Sequence, residues 1–275
     1  MAEKPYLVIK PKKGWQLISF KELAAYGDLF YFLVIRDIKV RYKQTVLGGL
    51  WAIIQPFFLM VVFTLFFGNL AKVPSDGVPY PVFNFSAMIA WTYFANSITD
   101  SGNSLIQNTA LISKVYFPRL IAPLVPVVAF LLDFAIAFVI LIIMMLCYGI
   151  YPTIMILFLP LLIILMMFTA SGVGMFLAAI NAQYRDIRYT LQFLVQFWMF
   201  ASPVVYPVSM IPEKYHLIYA INPMAGVIEG FRSVLLGTTA FPIQMVLVST
   251  VVSIIIFIIG ALYFKQTERI FADVI

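Results

Sequence analysis

Long stretches without a charged side chain constrain the fold of this sequence more than any other feature. Windows without Asp, Glu, Lys or Arg include 44–71, 134–184, 189–212 and 233–264. A helix needs about 20 apolar residues to cross a hydrocarbon core about 30 Å thick, so the longest window is long enough for two crossings. Only 11% of the residues are charged, against about 25% in soluble domains. The sequence therefore predicts an all-α integral membrane protein.

Breaker residues divide the apolar windows into six predicted transmembrane helices. The predicted spans are 48–69, 82–107, 121–148, 152–179, 189–206 and 243–264. A cluster of Pro, Gly and Asp at 70–81 separates the first two spans. We expect a cytoplasmic arm over residues 1–47, a six-helix transmembrane domain over 48–264, and a cytoplasmic tail over 265–275.

The segment before the first span mixes apolar and charged residues at helical spacing. Leu29, Phe32 and Leu33 are interleaved with Asp28 and Arg36, and the mixture continues to residue 43. Such a pattern is typical of an amphipathic helix in the membrane interface, with its apolar face in the lipid and its basic face in water. A solvated amphipathic helix packed on another protein would give the same pattern.

Basic residues are distributed unevenly between the two sides of this topology. Fifteen of the 18 Lys and Arg residues lie on the side of the termini, whereas only Lys72, Lys214 and Arg232 lie on the other side. Because basic residues favour the cytoplasmic side, both termini are predicted to be cytoplasmic. Topology accounts for the net charge of +6, so nucleic-acid binding need not be invoked.

Two acidic residues, Asp100 and Asp133, fall inside predicted spans. A charge in the hydrocarbon core costs roughly 2.5–3.5 kcal/mol on the insertion scale unless it is paired or wetted. Asp100 shares one helix face with Asn96, Asn103 and Gln107. The two acids could belong to a solute-facing surface or a proton relay. They could equally make hydrogen bonds between helices, with Lys114 or Arg119 as the partner.

Two predicted spans carry aromatic stripes at helical spacing. On the first span the stripe consists of Trp51, Phe58 and Phe66 together with the amide residue Gln55. On the fifth span it consists of Tyr189, Phe193, Phe197 and Phe200. A sugar presents apolar C–H faces beside hydroxyl groups, so aromatic rings with sparse amides suit a sliding glycan. Aromatic residues also fill helix contacts and belt the membrane interfaces.

The segment 207–242 contains only short apolar runs, each too short to cross. Two short helices dipping into the outer leaflet fit this re-entrant pattern, because irregular backbone at membrane depth must be buried or wetted. Glu229 and Arg232 could pair at spacing i, i+3. The segment is either an outer gate or a packed loop. The candidate gate residues are Pro207, Asn222, Pro223, Glu229 and Arg232.

Several common chemistries have no counterpart in the sequence. Cys147 is the only cysteine and His216 the only histidine, so an intrachain disulfide and a His-His metal motif are excluded. No Gly-Lys dipeptide occurs, so a phosphate-binding P-loop of the usual kind is absent. We therefore expect no catalytic residues, metal or cofactor in this chain, and any ATP hydrolysis must occur on another polypeptide.

Four sequence motifs carry a family resemblance. They are RDIKVRYKQTVLGGLW at 36–51 with Gln55-Pro56 after it, LISKVYFPR at 111–119, YRDI at 184–187, and Asn222-Pro223 with Arg232. These motifs resemble those of ABC type 2 exporter permeases for cell-surface polysaccharides, and O-antigen and teichoic-acid exporters above all. The resemblance covers roughly residues 30–270.

The resemblance implies a homodimer in the bacterial inner membrane that encloses a channel lined by the first and fifth helices. Two copies of an ATPase subunit, which bind ATP and Mg, would drive export of a polyprenyl-linked polysaccharide through the membrane. The expected ATPase-coupling surface comprises Arg36, Asp37, Lys39, Arg41, Lys43, Lys114, Tyr116, Arg119 and Arg185.

Other functions are compatible with parts of the pattern. Exporters of teichoic acid, drugs or lipids share the fold that the resemblance implies. A proton-coupled secondary transporter would use Asp100 and Asp133 as its coupling acids. An enzyme acting on polyprenyl-linked sugars would need an acid cluster or a metal motif near the interface, and the sequence shows neither.

The predicted topology can be tested with reporters fused to each end of the chain. Green fluorescent protein, which folds in the cytosol, is expected to fluoresce at either terminus, and alkaline phosphatase is expected to be inactive at both. Fusions inside the segment 207–242 should show the reverse and serve as the control. Reporters at the two termini that indicate opposite faces would contradict the six-span topology.

Overall fold

A computed structural model of the chain describes residues 24–43, 50–184, 186–237, 239–268 and 271, and every regular element in these ranges is helical. Their α-helices are α1 Gly27–Lys43, α2 Trp51–Phe63, α3 Tyr80–Gln107, α4 Thr109–Lys114, α5 Ile121–Cys147, α6 Leu159–Gln183, α7 Ile187–Phe200, α8 His216–Tyr219, α9 Pro223–Leu236 and α10 Ile243–Thr267. A π-helical segment, Thr64–Leu70, continues α2, and a 3₁₀ segment, Ile154–Phe158, precedes α6.

Four of the described helices are long and apolar enough to cross a membrane. They are α2 with its π-helical continuation, α5, α6 with its 3₁₀ segment, and α10. The bounds of α3 and α7 lie close to the second and fifth predicted spans. However, α3 is on average too polar to be counted with these four helices. Helix α7 has only 14 residues, which give it a length of about 21 Å.

The long helix α3 lies at the centre of the bundle, where it packs against α2, α5, α6, α7 and α9. Several of its polar groups bond to neighbouring helices. The Tyr93 hydroxyl donates to the Val127 carbonyl at 2.8 Å, and the Ser101 hydroxyl donates to the Pro123 carbonyl at 2.6 Å. The Asn181 amide of α6 donates to the Gly102 carbonyl at 2.8 Å. The low hydropathy of α3 thus reflects burial within protein.

Helices α6 and α10 approach each other closely where Gly172 faces Gly260. A Cβ atom at Gly260 would overlap the Gly172 carbonyl oxygen, and one at Gly172 would lie 2.6 Å from the Phe257 Cα atom. Nearby, the hydroxyls of Thr169 and Ser253 are 2.8 Å apart and share a hydrogen bond. Small residues are required here because they let two membrane helices come into backbone contact.

The short helix α9 is buried along its whole length, against α3, α6 and α10. The Asn222 side chain caps its first turn by accepting a hydrogen bond from the Met224 amide at 3.1 Å. Gly237 ends it with a φ of 65°, in the left-handed region that glycine adopts without strain. Fourteen residues give about 21 Å, too short for a crossing.

Replacing Gly260 by Ala tests the contact between α6 and α10. The added methyl group must displace the Gly172 backbone, and overpacking of this kind costs about 1–3 kcal/mol. We expect the melting temperature of the purified protein to fall by roughly 5 °C or more. Gly27→Ala is the control, because a Cβ atom at Gly27 meets nothing within 4 Å. Equal melting temperatures for the two variants would show that the close contact is not required.

Candidate functional site

Helices α2 and α7 leave a set of aromatic rings uncovered, which we call the exposed aromatic face. It comprises Trp51 and Phe58 of α2, Phe66 of its π-helical continuation, and Tyr189, Phe193, Phe197 and Phe200 of α7. Tyr189 is 80% exposed and Phe193 is 72% exposed. The aromatic residues of both predicted stripes are therefore on the surface of the single chain. Gln55, at the start of α2, is also exposed.

The opposite side of α7 attaches the helix to the bundle. Leu191, the only buried residue among the 14 of α7, lies against Gly102 of α3. The Trp198 ring meets the Phe94 ring edge to face, with their centroids 5.1 Å apart. The Trp198 indole N–H also donates to the Asn222 side chain at 2.9 Å. One side of α7 is thus fixed on α3 while its rings point away from the protein.

The end of α1 is fastened to α5 by a network that we call the polar latch: Asp37, Arg41, Tyr42 and Asp133. The Arg41 guanidinium lies 2.8 Å from the Asp133 carboxylate and 2.9 Å from the Asp37 carboxylate. It also stacks 3.6 Å above the Phe130 ring. A planar guanidinium can serve two carboxylates and a ring at once, which a lysine cannot do. The latch therefore fixes the direction of α1 relative to the bundle.

Tyr42 is the second donor to Asp133, through its hydroxyl group. Burial raises the pKa of Tyr42 above its ordinary value, and the hydrogen bond to Asp133 raises it further, so the hydroxyl keeps its proton. Neither Lys114 nor Arg119, the partners considered from the sequence, pairs with Asp133. Lys114 is exposed, and Arg119 donates to the Glu268 carbonyl at 2.7 Å.

A cavity of about 370 Å³ opens beside the latch, between α1, α2, α3 and α5. We call it the latch cavity. Asp100 and Asp133 both line it, so the structure brings the two intramembrane acids to the same place. Trp51 and Gln55 at the start of α2 line it as well, which makes it continuous with the exposed aromatic face.

The residues expected to contact an ATPase fall into two groups. Arg36, Lys39, Lys43, Lys114 and Tyr116 are exposed, on α1 and at the end of α4. Arg36 donates to the Asn108 side chain at 2.6 Å and so ties α1 to the junction between α3 and α4. By contrast, Asp37 and Arg41 belong to the polar latch, and Arg119 contacts the end of α10. Arg185 lies outside the described residues.

Arg232 is the centre of the predicted outer segment and is only 2% exposed. It donates to the carbonyls of Val204 at 2.8 Å and Tyr206 at 3.2 Å, and it stacks 3.6 Å above the Phe83 ring. Glu229 lies 3.9 Å away, so the predicted pair is present at long range. Arg232 thereby holds the chain after α7 against α3 and α9. Pro207 and Pro223 are buried around it, and Asn222 is half-buried.

The sequence analysis overlooked several residues that complete these sites. Tyr42, Phe130 and Trp198 each make a contact described above, yet none belongs to a pattern that predicts a role. Tyr42 could have been found within the motif at 36–51, whereas the ring contacts depend on which helices become neighbours. No group of three or more His, Cys, Asp or Glu in the described residues could hold a metal ion.

The structure has a polar central helix, α3, surrounded by apolar helices. Helix α1 is fastened to this bundle, and the short helix α9 is buried in it. These features define a multi-pass helical membrane protein. The family described as ABC-2 type transporter matches residues 28–236. The match covers α1 to α9, and the chain belongs to this family.

Curated relatives align along nearly the whole chain. An O-antigen export system permease protein RfbA of Klebsiella pneumoniae is 29% identical over 263 residues, which are 94% of this chain and 100% of that protein. The RfbA protein of Myxococcus xanthus is 27% identical over 256 residues, 92% and 97% of the two chains. The polysialic acid transport protein KpsM of Escherichia coli is 25% identical over 246 residues, 86% and 92% of the two chains.

The polar latch predicts an energetic coupling between Arg41 and Asp133. In a double-mutant cycle of Arg41→Ala and Asp133→Ala, we expect a coupling of about 1–3 kcal/mol, because each single change leaves the other charge without its partner. The cycle is measured by denaturant titration in mixed micelles. Lys39→Ala combined with Asp133→Ala should be additive, since Lys39 is exposed on another side of α1. Additive effects in both cycles would contradict the latch.

Proposed function

We propose that this chain is the membrane-spanning subunit of an ATP-driven exporter that moves a lipid-linked polysaccharide, of the O-antigen kind, across the bacterial inner membrane. Family membership supports the transporter class. The names of the full-length relatives support a polysaccharide as the substrate. The chain itself binds no ATP, and the nucleotide with its Mg belongs to a separate ATPase subunit.

The observation that carries this proposal is the exposed aromatic face. The exposed surface of α10, by contrast, is aliphatic, with Ile243, Leu247 and Val251 among its uncovered residues, and α6 exposes only scattered rings, Phe168 at 42% and Phe176 at 37%. Aliphatic side chains are the ordinary surface toward lipid tails. Tyr189, at 80% exposure, and the Phe rings after it differ from that surface. A row of rings suits a glycan, whose C–H faces can stack on each ring in turn.

A second copy of the chain would convert this face into the wall of a channel. In a homodimer with a two-fold axis, α2 and α7 of each protomer would face the interior and the aliphatic surfaces would face lipid. The rings would then be enclosed between the two protomers. Such a channel guides a polymer without a tight binding site at any single position.

The proposed topology has six crossings with both termini in the cytoplasm. Helix α3 crosses because the bundle surrounds it and bonds several of its polar groups, among them Tyr93 and Ser101. Helix α7 and the residues after it, up to 206, together form one crossing. Arg232 holds the last of these residues in place through the carbonyls of Val204 and Tyr206. The segment 207–242, with α8 and α9, then forms the re-entrant outer gate. The predicted division into arm 1–47, transmembrane domain 48–264 and tail 265–275 follows from this topology.

The proposed ATPase-docking surface is the exposed side of α1 together with α4 and the loop after it. Lys39, Lys43, Lys114 and Tyr116 are exposed there, and Arg36 joins the two parts through Asn108. Two ATPase subunits would bind, one on each protomer. Because the latch and the Arg36 contact tie α1 to the bundle, movement of the ATPase subunits would be transmitted to α3 and α5.

A proton-coupled transporter is less well supported. Its coupling acids would have to gain and lose protons during the cycle. Asp133, however, accepts hydrogen bonds from both Arg41 and Tyr42, so it is engaged in the contact that fastens α1 to α5. An acid held in this way serves packing and orientation.

Deletion of the gene in its host tests the proposal. We expect loss of the surface polysaccharide and accumulation of lipid-linked polymer inside the cell, with restoration by the wild-type gene. Phe193→Ala combined with Phe197→Ala should reduce surface polymer to about a tenth or less, because two neighbouring stacking sites are lost, each of order 1 kcal/mol. Tyr151→Ala is the matched control, since Tyr151 is 71% exposed in a loop after α5.

Two results would overturn the proposed function. One is a deletion strain with unchanged surface polysaccharide. The other is a purified protein that carries no ATPase subunit and transports without ATP.

A further inference from the structure

We infer that the latch cavity is a saccharide-binding site within each protomer, separate from the channel wall between protomers. The inference rests on the proposed function, because it assigns a second contact to the same substrate. Its basis is the set of side chains that line the cavity and the polar groups among them that the protein leaves without partners.

The cavity wall combines aromatic rings with planar polar groups. Trp51 supplies an exposed ring, the buried rings of Tyr93 and Phe130 close the inner wall, and Gln55, Asn96 and Asp100 supply amide and carboxylate groups. Rings stack on the C–H faces of a sugar, and amides and carboxylates bond its hydroxyls. At about 370 Å³, the volume falls within the range of small-ligand sites, roughly 300–1,000 Å³.

Three polar residues form a row on α3. Thr92, Asn96 and Asp100 follow one another at spacing four, so they lie on one side of the helix and span about 12 Å. Within the part of the chain that the structure describes, no donor bonds the Asp100 carboxylate, and the Asn96 amide makes no hydrogen bond. This contrasts with Tyr93 and Ser101 of the same helix, whose hydroxyls donate to α5 at 2.8 Å and 2.6 Å.

A row of polar groups inside a membrane bundle is costly unless a ligand or water meets it. A saccharide can donate several hydroxyls to Asp100 and Asn96 at once and still cover the rings. A lipid tail would leave both polar groups without partners. The site is thus suited to bind a neutral polyhydroxylated ligand.

The position of the cavity agrees with this ligand. Trp51 belongs both to the cavity lining and to the exposed aromatic face, so a glycan on that face has a continuous surface leading inward. Arg41 and Tyr42 of the polar latch form the opposite wall. A bound saccharide therefore touches α1, the helix that carries the proposed ATPase-docking surface.

Site-specific photocrosslinking in living host cells tests this site. A benzophenone amino acid is introduced at Asn96, which lines the cavity, at Phe197 on the exposed aromatic face, or at Val139, a 57% exposed residue of α5 outside both. After irradiation, the protein is purified and probed with an antibody against the host polysaccharide. We expect adducts at positions 96 and 197 and none at 139.

Each outcome of the crosslinking decides between the two claims. Adducts at Phe197 without any at Asn96 would overturn the saccharide site and leave the proposed function standing. Capture of phospholipid alone at Asn96 would overturn the saccharide site as well. If neither position captures polysaccharide and the deletion strain still displays it, the proposed function itself fails.

A second measurement covers the case in which the variant at Asn96 does not fold. In the purified complex with its ATPase, the probe is lipid-linked polysaccharide extracted from the deletion strain. Asp100→Asn should raise the probe concentration for half-maximal ATPase stimulation about tenfold or more, because an acceptor bond to a charged group is lost. Asp100→Glu should recover part of it, and Asp76→Asn, in the loop between α2 and α3, is the control. An unchanged value for Asp100→Asn would overturn the site.

Discussion

The burial of one polar helix, α3, is the constraint on which the rest of the structure depends. Hydrocarbon offers no partner to a polar group, so a helix carrying Ser, Asn, Tyr and Asp must be surrounded by protein. Its neighbours α5 and α6 supply carbonyl and amide partners to Tyr93, Ser101 and Gly102. Once α3 is central, the apolar helices around it become the surface toward lipid. The fold is therefore organised by the burial of polar α3 inside and the exposure of apolar side chains outside.

Two kinds of exposed surface result from this arrangement, and their difference carries the functional interpretation. On α10 the uncovered large apolar side chains are Ile, Leu and Val, which match lipid tails. On α7 they are aromatic, while Leu191 and Trp198 fix the other side of the helix on α3. A ring such as Tyr189 could pack inside a protein at little cost, so its position on the outside favours an enclosed path for substrate. The homodimer that would enclose it rests on the proposed function.

The polar latch gives α1 a defined orientation without inserting it into the bundle. Arg41 reaches Asp133 of α5 and stacks on Phe130, and Arg36 bonds Asn108 on the other side. These contacts divide the basic residues of α1 into two groups. Arg41 contacts α5 on the inner side, whereas Lys39 and Lys43 are exposed. The latch cavity lies where α1, α2, α3 and α5 meet, so one site adjoins both the proposed docking helix and the proposed channel wall.

The sequence by itself determined the class, the helix positions and the aromatic periodicity, because charge scarcity and helical spacing are local properties of the chain. It also placed Asp100 and Asp133 inside predicted spans. Only the tertiary structure decided that Arg41 and Tyr42 pair with Asp133, that α3 is central, and that α9 is wholly buried. These features depend on which helices become neighbours, and a spacing rule within one helix carries no information about the helix that will face it.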